Sequence, residues 1–277
     1  MKESFTQLRF KGYWDSQIKE ADEKEHTYSL HDVELGNRKA KYQEIWFQGI
    51  DDIWIQARYV RPIGMDKVPL VFDFHDEGKP VQGWFHLTRY VALGYAVIAM
   101  ESRGLPVSNP DTVEVTRLLR YHRTFMDAYI LSRIMEKLVG IDANHMAAFG
   151  RGYGGAVAMA LSVLRPDIKK CSMEYPNLCC VQENIRIQFD GDDGQRQEDA
   201  CGMLEYIDML NFAPFVKAEV LMGTAMLDQV ASPDSQKKVF DRLTCKKRQV
   251  LFPRHEHELI NFFEDENLRF LSNLGAS

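Results

Sequence analysis

Apolar and polar residues alternate in two runs, Ile45-Trp46-Phe47 and Ile53 through Val60, separated by Gly49-Ile50-Asp51-Asp52. Period-two alternation around a short polar turn predicts a β-hairpin. Val68 through His75 reads as a short strand, followed by the polar stretch Asp76-Glu77-Gly78-Lys79-Pro80. Trp84 to Leu93 has helical spacing and stops at Gly94, and Tyr95 to Met100 is apolar throughout, the pattern of a strand buried on both faces. Leu118, Leu119, Phe125, Tyr129, Ile130, Ile134, Met135 and Leu138 then recur at helical intervals. His145 to Phe149 is a further short strand, and it runs directly into Gly150-Arg151-Gly152-Tyr153-Gly154-Gly155 and a small-residue helix from Ala156 to Leu164. Strands are expected near Cys171–Glu174, Glu219–Gly223 and Gln249–Phe252, with helices over 233–243 and 258–274. Strand–helix alternation of this kind predicts an α/β fold, a mostly parallel central sheet with helices on both faces. Residues 1–40 are polar and helix-compatible and are expected to lie over the periphery of a single domain spanning 1–277. Residues 182–212 read as an insertion.

Composition narrows the classes. Hydrophobic residues make up 45% and charged residues 27%, which excludes a disordered chain. The net charge of −6 argues against a nucleic-acid binder, which normally needs a basic face. No run approaches the ~20 apolar residues of a membrane span, and the first residues lack the apolar core of a signal peptide, so a cytoplasmic protein is expected. The five cysteines include the adjacent pair Cys179 and Cys180 and no Cys-x-x-Cys, so reduced thiols rather than a zinc site are expected.

The chemistry should lie at the glycine-rich corner. A strand turning through a Gly-x-Ser-x-Gly corner into a helix is the nucleophile elbow of α/β-hydrolases: the corner residue is strained and its neighbours must lack side chains. Here the corner residue is Gly152. Gly150, Gly152 and Gly155 also satisfy G-x-G-x-x-G, and Glu174 stands at the ribose-binding distance of a dinucleotide site. The residues beyond the turn favour the hydrolase reading. Asp228 comes after one predicted strand and His257 after the next, the chain order of acid and base in that fold.

With those residues in view, the chain resembles the acetyl xylan esterase and cephalosporin C deacetylase family of carbohydrate esterases. Arg103-Gly104, the Gly150–Gly155 elbow and His257-Glu258 carry the resemblance, together with Glu174-Tyr175-Pro176-Asn177-Leu178-Cys179, Tyr206 to Ala213 and Tyr13-Trp14. It implies that Asp228 and His257 are acid and base and that Gly152 stands where the nucleophile serine belongs. It also implies an oxyanion hole built from Tyr153 and, at the family's tyrosine position, Glu77. Arg103 and Gly104 would border the pocket, with Arg103 anchoring its loop by ion pairing. The resemblance further implies a small acetylated carbohydrate or other small ester as substrate, no cofactor and a homo-oligomer, usually a hexamer, built through the N-terminal segment and the 182–212 insertion.

Glycine has no atom to attack a carbonyl, so lost or altered esterase activity is expected: a pseudoenzyme of this family, or a non-catalytic ligand-binding or assembly subunit. Restoring serine at 152, with tyrosine at 77, is expected to rebuild ester cleavage. Ser102 and Ser108 read as loop serines, and Cys179 and Cys180 as buried thiols. His255 and His257 are two apart, unlike the four-residue spacing of a zinc helix, and no metal is expected even if His75, Glu77, Asp228 and His257 converge. A water-activating Glu77/His257 pair is a chemically allowed alternative.

Overall fold

A computed structural model describes residues 5–103, 114–183 and 202–275. Gly104, Ser108 and residues 184–201 of the expected insertion lie outside the described residues. The first described element is helix α1 (Phe5–Asp22), which buries Phe10, Trp14 and Ala21. Strand β1 (Tyr28–Val33) lies at one edge of the sheet, and its largely exposed, polar residues give no apolar alternation to read. The predicted hairpin is present as β2 (Ala40–Gln48) and β3 (Trp54–Pro62), antiparallel, with Ile45 opposite Ala57.

Strand β4 (Val68–Phe74) comes next, then a short helix α2 (Trp84–Leu87) that tightens into a 3-10 segment over Thr88–Leu93. The sequence spacing predicts one continuous helix there. The Thr88 hydroxyl and its backbone N–H both bond the Trp84 carbonyl, the hydroxyl at 2.7 Å, where the winding changes. Gly94 closes the segment in the left-handed region at φ 76°, as its position after the last periodic residue predicts.

The remaining elements are β5 (Ala96–Met100), α3 (Glu114–Met135), β6 (Ile141–Arg151), α4 (Tyr153–Leu164) and β7 (Lys170–Glu174), then α5 (Met209–Phe212), β8 (Glu219–Ala225), α6 (Pro233–Arg242), β9 (Lys247–Phe252) and α7 (Asn261–Leu271). Among the described residues, the nine strands join one sheet in the order β1-β2-β3-β5-β4-β6-β7-β8-β9. The pairings are antiparallel through β3–β5 and parallel from β5 onward. Two apolar layers cover the faces. One contains Phe72, Ile98, Phe125 and Leu161, and the other Val71, Val97, Phe149 and Phe263. Burying each Leu, Ile or Phe side chain stabilises the fold by roughly 1.5–3 kcal/mol. Because β4 through β9 run the same way, the loops after β4, β6, β8 and β9 emerge at one end of the sheet, where open α/β sheets carry their sites.

Candidate active site

The corner between β6 and α4 has the strained geometry an elbow needs. Gly152 sits at φ 51°, ψ −119°, outside the regions comfortable for a residue with a side chain. A Cβ on Gly154 would run into the carbonyls of Phe74 and His75, so strand β4 and helix α4 meet backbone to backbone. The Gly152 carbonyl accepts from Asn177 N–H at 2.9 Å, and its own N–H donates to the Glu174 carbonyl at 3.0 Å.

Asp228, just beyond β8, and His257, beyond β9, meet as the sequence predicts. Asp228 Oδ2 lies 2.8 Å from His257 Nδ1, and Asp228 Oδ1 is held by the N–H groups of Val230 and Ala231 at 2.8 Å each. His257 also packs against the Tyr175 ring at 4.7 Å between centroids.

The residue that faces His257 from the nucleophile's side is Asp76, just beyond β4. Its Oδ2 lies 2.8 Å from His257 Nε2. Its Oδ1 accepts the N–H of Tyr153 at 2.9 Å and the N–H of Glu77 at 2.8 Å. Tyr153 and Glu77 are the two residues at the positions where the family resemblance implies an oxyanion hole, and their backbone donors converge on one oxygen. That oxygen belongs to the protein's own Asp76 carboxylate. The N-terminus of α4, whose first residue is Tyr153, adds a partial positive charge where this oxygen sits. A Cβ on Gly152 would fall against the same carboxylate, well inside the 3.0 Å that real Cβ contacts keep. Serine at 152 therefore cannot enter this site without displacing Asp76, and changing Glu77 does not clear the space.

With a carboxylate oxygen at each ring nitrogen, both nitrogens of His257 donate, and the ring is an imidazolium. The two aspartates push its pKa up from 6.5 to about 9, Asp228 being the larger influence. At neutral pH about one ring in a hundred then carries the lone pair a general base needs.

Beneath the corner lies a buried ionic network. Arg151 Nε bonds Glu174 Oε2 at 2.6 Å and its Nη2 bonds Glu264, while Glu174 Oε1 accepts the Ile260 N–H at 2.8 Å. Burial pushes the Glu174 carboxyl above its usual range. This network ties the ends of β6 and β7 to the loop that carries His257. It also bonds both Glu174 oxygens within the protein, so Glu174 is not available to a ribose.

Arg103 anchors its loop. Its Nη2 bonds Asp127 at 2.7 Å, its Nη1 bonds Asp51 at 2.7 Å, and its Nε also reaches Asp127. Ser102 Oγ lies 3.1 Å from His75 Nε2, but the Ser102 N–H points at the same nitrogen at 3.0 Å, and His75 Nδ1 faces the Asp76 carbonyl. The acceptor a serine nucleophile would need is thus met by a backbone donor. Cys179 and Cys180 are buried, and burial raises both thiols, Cys180 to about 11, away from the thiolate form a nucleophile requires. Asp76 is the residue of this cluster that the sequence does not single out: it occupies a polar loop and belongs to none of the sequence patterns.

A mostly parallel sheet with a glycine elbow and a late Asp–His pair at its strand ends defines an α/β-hydrolase. The chain matches the acetyl xylan esterase family over residues 1–274, and it belongs to that family. Its fold is similar to that of acetyl xylan esterase 1 from a Thermoanaerobacterium species, at 24% identity and TM-score 0.86, covering 96% of this chain and 94% of that one. An acetyl xylan esterase from a Paenibacillus species superposes with TM-score 0.86 at 22% identity, over 98% and 96% of the two chains. A cold-adapted esterase from an Arctic intertidal metagenomic library is more distant, at TM-score 0.66 and 14% identity over 89% and 98%.

Proposed function

We propose that this chain is a member of the acetyl xylan esterase family that has given up the serine acyl-enzyme reaction while retaining the acid–base pair, Asp228 and His257. The observation that carries the reading is the Asp76 carboxylate. One side chain fills the space a nucleophile would occupy at Gly152, takes both oxyanion donors and, with Asp228 on the other ring nitrogen, keeps His257 in its protonated form. The three elements of acyl transfer, attack, oxyanion stabilisation and proton abstraction, are therefore withdrawn together. The ligand class remains that of the family, a small acetylated carbohydrate or similar ester. The chain is proposed to assemble as a homo-oligomer, which light scattering on the purified protein tests.

The activity test is hydrolysis of p-nitrophenyl acetate, compared with a His257→Ala control. No difference between the two is expected. Robust cleavage that disappears with His257→Ala would overturn the reading in favour of a water-based mechanism. A second reading, a non-catalytic subunit that holds a small ligand, is favoured by the same filled oxyanion hole, because nothing in a purely binding role requires those donors to be free.

A further inference from the structure

The contacts of Asp76 are more specific than filling a vacated space requires. Oδ1 rests between two backbone donors, Oδ2 faces His257 Nε2, and the side chain is 11% exposed, so solvent reaches it. On the far side of the ring, Asp228 orients the imidazole through Nδ1. This is a carboxylate with one oxygen cradled, the other turned toward a base, and the base held by a second acid.

We propose that Asp76 is itself a nucleophile, whose Oδ2 displaces a stable anionic leaving group from a saturated carbon, and that His257 then directs water at the resulting ester. Placement of the oxyanion donors selects that substrate class. Attack on an ester carbonyl would build negative charge on the substrate oxygen, and the donors that would stabilise it, Tyr153 N–H and Glu77 N–H, already bind Asp76 Oδ1. Displacement at a saturated carbon builds no oxyanion on the substrate, so it needs no such hole. The need arises in the next step, on the enzyme's own carboxyl group, where the donors stand at 2.9 and 2.8 Å.

The steps balance. An electron pair of Oδ2 forms a bond to the carbon, and the leaving group departs with the pair of the bond that breaks, as a halide or sulfonate. No proton is required. Among the described residues, the protonated side chain bonded to Asp76 is His257, which the second step employs as base. Once esterified, Asp76 is neutral, so His257 loses one of the two charges that hold its proton and releases it to solvent. The neutral ring then takes a proton from water as the hydroxyl oxygen bonds to Asp76 Cγ, and the tetrahedral oxyanion forms on Oδ1. Collapse breaks the bond from Cγ to Oδ2. The alcohol leaves carrying Oδ2 and the proton from His257. The water's oxygen stays on Asp76 as a carboxylic acid, whose proton passes to the neutral His257 and restores the resting carboxylate and imidazolium. The net reaction turns an alkyl halide or sulfonate and water into an alcohol, an acid proton and the free anion.

The test uses bromoacetamide, a small neutral electrophile, on the full chain. In heavy-oxygen water the unmodified protein should release glycolamide, and the peptide containing Asp76 should gain one heavy oxygen. A parallel sample without bromoacetamide should gain none. His257→Gln should stop at the ester, with the carboxamidomethyl group mapped to Asp76 by peptide fragmentation. Asp76→Asn should lose both the label and the adduct. Heavy oxygen appearing in glycolamide but not in Asp76, or alkylation confined to cysteine or histidine, would overturn the proposal. Such a failure leaves the loss of the serine reaction standing, because p-nitrophenyl acetate tests that separately.

Discussion

Asp76 and Gly152 compete for one place: the carboxylate of the first stands where any side chain on the second would begin. The same carboxylate bonds His257 Nε2 at 2.8 Å, so the space and the base are taken by a single group. The glycine at the corner and the aspartate in the neighbouring loop form one structural unit.

The first prediction rests on that exclusion. Gly152→Ala should destabilise the chain by ~1–3 kcal/mol from backbone strain alone, and by more because Asp76 must swing away from its three partners. Asp76→Ala should also destabilise, since it leaves the imidazolium and two N–H groups without their acceptor. In the double variant the two losses should fall short of their sum by roughly 0.5–3 kcal/mol. Chemical denaturation of the four proteins checks this, and strict additivity would separate the two residues.

A second prediction concerns pH. The folded His257 holds its proton more tightly than the unfolded chain does, with a pKa of about 9 against 6.5. The stability it contributes is therefore fully present below about pH 6.5 and is lost as pH rises through about 9. The loss should be on the order of 2 kcal/mol once solvent screening of this partly exposed ring is allowed for. Thermal melting across this range should show a decline that His257→Gln lacks.

The elbow's foundation makes a third prediction. Glu174→Ala leaves Arg151 short of its buried partner and Ile260 N–H without an acceptor, and should cost ~3–5 kcal/mol. Glu174→Gln keeps an acceptor and should cost less. Equal losses from the two changes, measured by denaturation, would mean that the carboxylate charge rather than the hydrogen bonds decides the effect.

Much of this architecture is legible in the sequence, and the reasons are local. The hairpin of β2 and β3 shows as alternation, and β5 shows as an uninterrupted apolar run. The elbow shows as a glycine-rich strand-to-helix corner that also fits a dinucleotide turn, and the order of Asp228 and His257 after later strands decides for the hydrolase reading. Strand β1 is hidden because an exposed edge strand need not alternate. The helix from Trp84 gives way at Thr88 to a 3-10 segment, a tighter winding that apolar spacing does not distinguish from an α-helix. Asp76 is hidden for another reason. Its role depends on β4 and β6 lying side by side, a pairing that brings Asp76 to Tyr153, 77 positions further along the chain. A usable signal is nevertheless present: a corner glycine in place of serine leaves a space and a charged histidine to satisfy, and the acidic residues next to the corner in the sheet are the candidates.

The displacement of the serine reaction by Asp76 is tested most directly by the initial burst of p-nitrophenolate from p-nitrophenyl acetate, measured for Gly152→Ser and for Gly152→Ser combined with Asp76→Ala. Removing the carboxylate frees the two oxyanion donors and leaves His257 Nε2 able to accept a proton from the new serine. A burst is expected from the double variant, and a rate near that of the unmodified protein from the single one. A single variant as active as the double, or a folded double variant that stays inert, would contradict the claim that Asp76 is what displaced the serine reaction.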